Sequence, residues 1–190
     1  MLAELAFNLP PFTQVLRYAG LVLLIGVIFG GVLVASTGRP SQPGRHRHWL
    51  SQVIYAAFLV AIGVLAVSSF GSLVQFGHMA NYALLVHVAA AGGFVFLLLA
   101  IALLYLPIGD PLDRTTAPND TRWWLGRWSA WALVLSGIAA AGTMFLSMLP
   151  ILDTQELIEV AEMHRYAGLA VTLAAVTHLF ALICTRIGLR

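Results

Sequence analysis

Charge is what this chain has least of. Asp, Glu, Lys and Arg make up 9% of its 190 residues, against 60% apolar, and the mean hydropathy is +0.89. A soluble domain of this length cannot cover its surface with so few charges, so the composition implies an all-α or β-barrel integral membrane protein. The net charge is only +2 and the basic residues are scattered through short loops, which excludes a nucleic-acid-binding face. Cysteine is almost absent too. The single Cys184 excludes an internal disulfide, a four-cysteine iron–sulfur cluster and a Cys-x-x-Cys-His haem attachment, so any haem would be held without covalent bonds to the protein. The start lacks the marks of a secretory signal. No Lys or Arg precedes the first apolar run, Glu4 does, and the run from about Val15 to Ala35 is too long for the apolar region of a cleaved leader. A retained helix is expected there.

What is present is long apolar runs. A bilayer core takes roughly 20 apolar residues as helix. Five segments qualify: Phe12 to Ser36, Trp49 to Phe70, Met79 to Leu106, Trp128 to Leu149 and Ala161 to Cys184. Runs this long fit no barrel strand, and Pro107 and Pro150 lie just past two of the ends. The loops set a direction. Arg39, Arg45 and Arg47 follow the first run, Arg114, Arg122 and Arg127 follow the third, and Arg186 and Arg190 end the chain. All fall on one side for five spans. The opposite loops are "GSLVQFGH" and the acidic "PILDTQELIEVAE". The positive-inside rule puts the N-terminus outside and the C-terminus in the cytoplasm. Trp123, Trp124, Trp128 and Trp131 read as interfacial anchors. No span carries a buried carboxylate, which argues against an ion pump or proton-coupled transporter. The acidic loop residues Asp153, Glu156, Glu159 and Glu162 read as a solvated segment.

The histidines carry the chemistry. His164 and His178 lie fourteen residues apart in the last run. Fourteen residues turn a helix about 1,400°, within about 40° of whole turns, and rise about 21 Å. Both imidazoles therefore share one face, one towards each membrane surface. That separation suits two stacked haems, for which imidazole is an ordinary axial ligand. His87 enters the third span at a depth comparable with His164, and His48 opens the second span on the side of His178. Depth thus pairs His87 with His164 for an outer haem and His48 with His178 for an inner one. His46 replaces His48 if the helix starts earlier, and if His48 faces water only one haem is held. His78, half a turn out of phase with His87, reads as a loop residue, with proton handling near the outer site as the other reading. Membrane histidines also serve as plain helix–helix hydrogen-bond groups. Small residues surround these positions in "HVAAAGGFVF", "HRYAGLA" and "SGIAAAG". They make room for a flat porphyrin or for tight helix packing, and sequence does not separate the two.

"HRHW" opening one span, "HVAAAGGF" in the next and "HRYAG" with a second histidine fourteen positions after the first resemble the four-helix di-haem cytochrome b family. That family includes the membrane subunits of formate dehydrogenases and nickel–iron hydrogenases and the bacterial cytochromes b561. The resemblance covers about His46 to Cys184. It implies a four-helix haem-binding bundle over residues 41–190, preceded by one extra transmembrane helix in residues 1–40 that carries no histidine and whose Gly26, Gly30 and Gly31 suggest a packing face. It implies the same ligand pairs, and a quinone site by His178 with Trp49 as a wall. Arg165 would meet a propionate of the outer haem, and Arg47 or Arg186 one of the inner haem, although each also reads as an interface arginine.

The expected function is electron transfer across a bacterial inner membrane, between the quinone pool and another redox subunit. The partner would be a dehydrogenase, an iron–sulfur protein or a multihaem cytochrome c, since no loop here is long enough to hold a flavin, molybdenum cofactor or iron–sulfur chain. Membrane lipid is the other expected partner. Two further classes stand beside this reading: a self-contained cytochrome b561-like oxidoreductase, and a haem-free membrane scaffold or transporter subunit.

Overall fold

The computed structural model describes residues 11–37, 49–79, 81–105 and 121–186. Among the described residues there is no strand. Five helices account for nearly all of them: α1 (Phe12–Thr37), α2 (Trp49–Phe76), α3 (Asn81–Tyr105), α4 (Thr121–Ser147) and α5 (Thr154–Arg186). All five are long and apolar enough to cross a membrane.

Two helix ends differ from the apolar runs. α2 continues to Phe76, so much of the expected loop "GSLVQFGH" is helix, and it passes through a π-helical turn at Val67–Gly71. It stops at Gly77, whose φ of 73° is open to glycine and whose N–H bonds the Leu73 carbonyl at 3.0 Å. α5 begins at Thr154, seven residues before Ala161, so the acidic segment is the start of a helix and not a loop. Asp153 and Glu156 form a capping box there. The Glu156 N–H donates to Asp153 Oδ1 at 2.8 Å, and the Asp153 N–H donates to Glu156 Oε2 at 3.1 Å. The physical reason is that hydropathy marks the part of a helix suited to lipid, whereas hydrogen bonds and caps decide where the helix ends. The 33 residues of α5 span about 50 Å, well beyond a core of about 30 Å. α4 ends at Ser147, before Pro150. Pro107 lies outside the described residues.

Short connections make α2–α3 and α4–α5 antiparallel hairpins, and each hairpin packs along its length. α3 also meets α4 and α2 meets α5, which closes a four-helix bundle with α3 and α5 on one diagonal. α1 stands outside this ring, against α5. The core follows a seven-residue spacing, the period at which packed helices keep one face inward. On α5 it runs His164, Val171, His178. On α3 it runs His87, Phe94, Ile101, and on α4 Gly126, Leu133, Ala140. Val171, Phe94, Ile101, Leu133 and Ala140 are all buried. From α2, Phe58 is fully buried and stacks on Phe94, ring centroids 5.5 Å apart and planes 13° apart. The apolar core thus occupies the level between the two histidines of α5.

Glycines divide by use. A Cβ on Gly137 would come within 3.0 Å of Leu98 Cδ1 and 3.3 Å of Phe94 Cζ, so Gly137 lets α3 approach α4. Beside Gly168, one turn after His164, nothing lies within 4 Å. On α1 only Gly30 meets a neighbour, Phe180 of α5 at 3.1 Å, while Gly26 and Gly31 face open space.

Candidate functional site: a pair of clamped histidines

The diagonal helices α3 and α5 bring His87 and His164 together across the bundle. Their ring centroids are 6.4 Å apart and their planes 85° apart. A metal–imidazole bond is about 2 Å and a ring nitrogen lies about 1.1 Å from its centroid, so two imidazoles on opposite sides of one ion have centroids roughly 6.3 Å apart. The observed spacing is compatible with two ligands of one ion, and it also lies within the range of an ordinary edge-to-face ring pair.

Each ring is held from behind by Nδ1. His164 Nδ1 lies 3.0 Å from the Ala140 carbonyl oxygen and 3.2 Å from Thr143 Oγ1. A carbonyl only accepts, so Nδ1 carries the proton and Nε2 the lone pair. The Thr143 hydroxyl donates to the Ala139 and Ala140 carbonyls at 3.0 and 2.9 Å, so its oxygen faces His164 as an acceptor. His87 Nδ1 lies 3.1 Å from Ser68 Oγ, whose own proton goes to the Val64 carbonyl at 2.7 Å. Ser68 Oγ also lies 3.2 Å from the Leu65 carbonyl oxygen. Ser68 sits in the π-helical turn of α2, a local widening of the helix that recurs at functional sites.

His178 repeats the arrangement. Its Nδ1 lies 3.0 Å from Ser129 Oγ and 3.2 Å from the Gly126 carbonyl oxygen. In the His178 and His164 clamps a hydroxyl residue and the carbonyl three positions before it hold the ring, Ser129 with Gly126 and Thr143 with Ala140, while at His87 the hydroxyl of Ser68 meets the ring. On α4 the two clamps are fourteen residues apart, matching the fourteen between His164 and His178 on the antiparallel α5. α2 sets Tyr55 beside His178, ring centroids 6.1 Å apart.

The remaining expected residues are dispersed. His46, Arg47 and His48 lie outside the described residues. Trp49 is exposed at the start of α2, Arg165 is exposed next to His164, and Arg186 closes α5. His78 is exposed in the turn after α2, where its Nδ1 lies 2.9 Å from the Phe76 carbonyl oxygen. Phe12 of α1 reaches this half of the bundle, with ring centroids 6.2 Å from Phe70 and 5.3 Å from Tyr166. Sequence reading passed over Ser68, Ser129 and Thr143. Their signal was the fourteen-residue interval between Ser129 and Thr143, which gains meaning only once α4 is known to run antiparallel to α5.

Among the described residues no three His, Cys, Asp or Glu side chains converge. Two imidazoles alone could hold a cofactor that brings its own equatorial donors, as haem does. The open space at Gly168 beside His164 is compatible with a flat ring. Comparison with protein-family models, curated proteins and solved structures finds no match for this chain.

Proposed function

We propose that this chain is a membrane-spanning di-haem cytochrome b that carries electrons between a partner redox subunit and the quinone pool. The observation that carries the reading is the His87–His164 pair, two imidazoles at a spacing compatible with two ligands of one ion and with both Nδ1 atoms already committed to hydrogen bonds. His87 and His164 would hold the haem, which would supply one-electron transfer when bound. The chain's own residues do the rest. His87 and His164 present their Nε2 lone pairs, and Phe94, Leu133 and Val171 keep water out of the level beyond them. Arg165, at the rim beside His164, would meet a propionate.

His178 carries the same clamp as His164, which supports a second site, with His48 as the other ligand. A quinone would bind near His178 and Trp49, and Arg47 and Arg186 would face the inner propionates. The distribution of arginines along the sequence supports an orientation with the N-terminus outside and the C-terminus in the cytoplasm, and the membrane we propose is a bacterial inner membrane.

A reduced-minus-oxidised visible spectrum of the purified chain, with pyridine haemochrome quantification, tests this. The expected result is about two b-type haems per chain, in line with two clamped sites. His87→Ala and His164→Ala should each remove the same one, and His178→Ala the other. One haem, lost on His87→Ala and retained on His178→Ala, would confine the reading to the first pair. No haem in a folded sample supplied with haem would overturn it in favour of a helical scaffold. Purification with haem and no redox partner would favour a self-contained oxidoreductase.

A further inference from the structure

The three clamps share a feature that ligation alone does not require. A hydroxyl oxygen stands beside each ring nitrogen at 3.0 to 3.2 Å, although at His164 and His178 that nitrogen already has a carbonyl acceptor. The hydroxyl protons have carbonyl acceptors on their own helices: Val64 for Ser68, Gly126 for Ser129, Ala139 and Ala140 for Thr143. Ser and Thr bond the i−3 or i−4 carbonyl routinely inside membrane helices, so the donors are used without any histidine. What remains is an oxygen lone pair, aimed at Nδ1 in every case.

We propose that Thr143, Ser129 and Ser68 are positioning residues, whose hydroxyl oxygens act as acceptors (second acceptors at His164 and His178) that fix the rotation of His164, His178 and His87 and raise the basicity of Nε2. The proposal rests on the haem reading for its consequence and on the clamps alone for its geometry. A second acceptor at Nδ1 pulls that proton outward and leaves more electron density on Nε2, the effect that a partner behind a metal-bound histidine ordinarily has. More basic ligands favour oxidised iron. Removing the acceptor should therefore shift the haem towards its reduced form at a fixed ambient potential. The repeat on α4 argues against coincidence. Ser129 and Thr143 sit four turns apart, each opposite one histidine of the antiparallel helix.

The test uses Thr143→Val, which keeps the shape and removes the oxygen, and Thr143→Ser, which restores it. In the full chain without haem, in lipid nanodiscs with ¹⁵N-labelled histidine, NMR should find His164 as the Nδ1–H tautomer. Thr143→Val should move the His164 Nδ1–H resonance and leave that of His178 in place, and Thr143→Ser should return it. In the haem-loaded chain, Thr143→Val should raise the reduced-to-oxidised ratio of one haem by about 10-fold, the lower end of the effects of residues behind metal ligands. Ser129→Ala should do so for the other haem. An unmoved resonance, or an unmoved ratio with haem bound, overturns the positioning role and leaves the haem reading intact. A wild-type chain that takes up no haem sinks the haem reading, and the resonance shift then still decides whether the hydroxyl holds the ring.

Discussion

α1 and α5 look alike as apolar runs and have opposite parts in the molecule. None of the most apolar stretch of α1 is buried, whereas 33% of that of α5 is. α1 touches the bundle along one edge, through Phe12 and Gly30. α5 contributes Val171, Ala175 and Ala181 to the buried interior and carries both fourteen-spaced histidines. The lesson is that hydropathy and burial separate in such a chain. Where lipid is the solvent, apolar surface costs nothing outside, so the helix facing inward is the one free to carry polar groups.

Changes to α5 and its neighbours should therefore cost more than changes to α1. The largest effect is expected from His164→Ala, which should weaken binding of one haem by about 10- to 100-fold or more, since removing a ligand exceeds removing its supporting partner. Haem titration followed in the visible range measures it. Next comes Gly137→Val, which forces two methyls and a Cβ against Leu98 and Phe94, both buried. Overpacking of this kind costs about 1–3 kcal/mol, readable as a lower midpoint in SDS-driven unfolding. Asp153→Ala removes one half of the α5 capping box and should cost about 1 kcal/mol by the same assay. Gly26→Ala on α1, with open space around it, should stay within about 0.5 kcal/mol of wild type. Deleting residues 1–40 should leave the haem count per chain unchanged. Loss of a haem on that deletion would break the comparison and make α1 part of the site.

Much of the architecture was legible in the residues. Five apolar runs became five helices in the expected places, because a run of more than 20 apolar residues has few other ways to satisfy its backbone. The in-phase spacing of His164 and His178 was legible for the same reason, since helical periodicity is set locally. The ends were less so. Val67–Gly71 gave no sign of a π-helical turn, and Thr154–Val160 read as loop because its charges, and not its hydrogen bonds, were what the sequence displayed. The two uses of small residues also separated only in space, with Gly137 packed against α3 and Gly168 open.

What the residues decided alone is local: apolar length and helical phase. Which helix stands opposite which was decided by the tertiary structure. That α3 and α5 share a diagonal puts His87 against His164, and that α4 lies antiparallel to α5 puts Thr143 and Ser129 behind His164 and His178. The physical reason is that these contacts join residues 21, 49 and 77 positions apart. No local rule relates such residues until interior packing selects one arrangement of the helices.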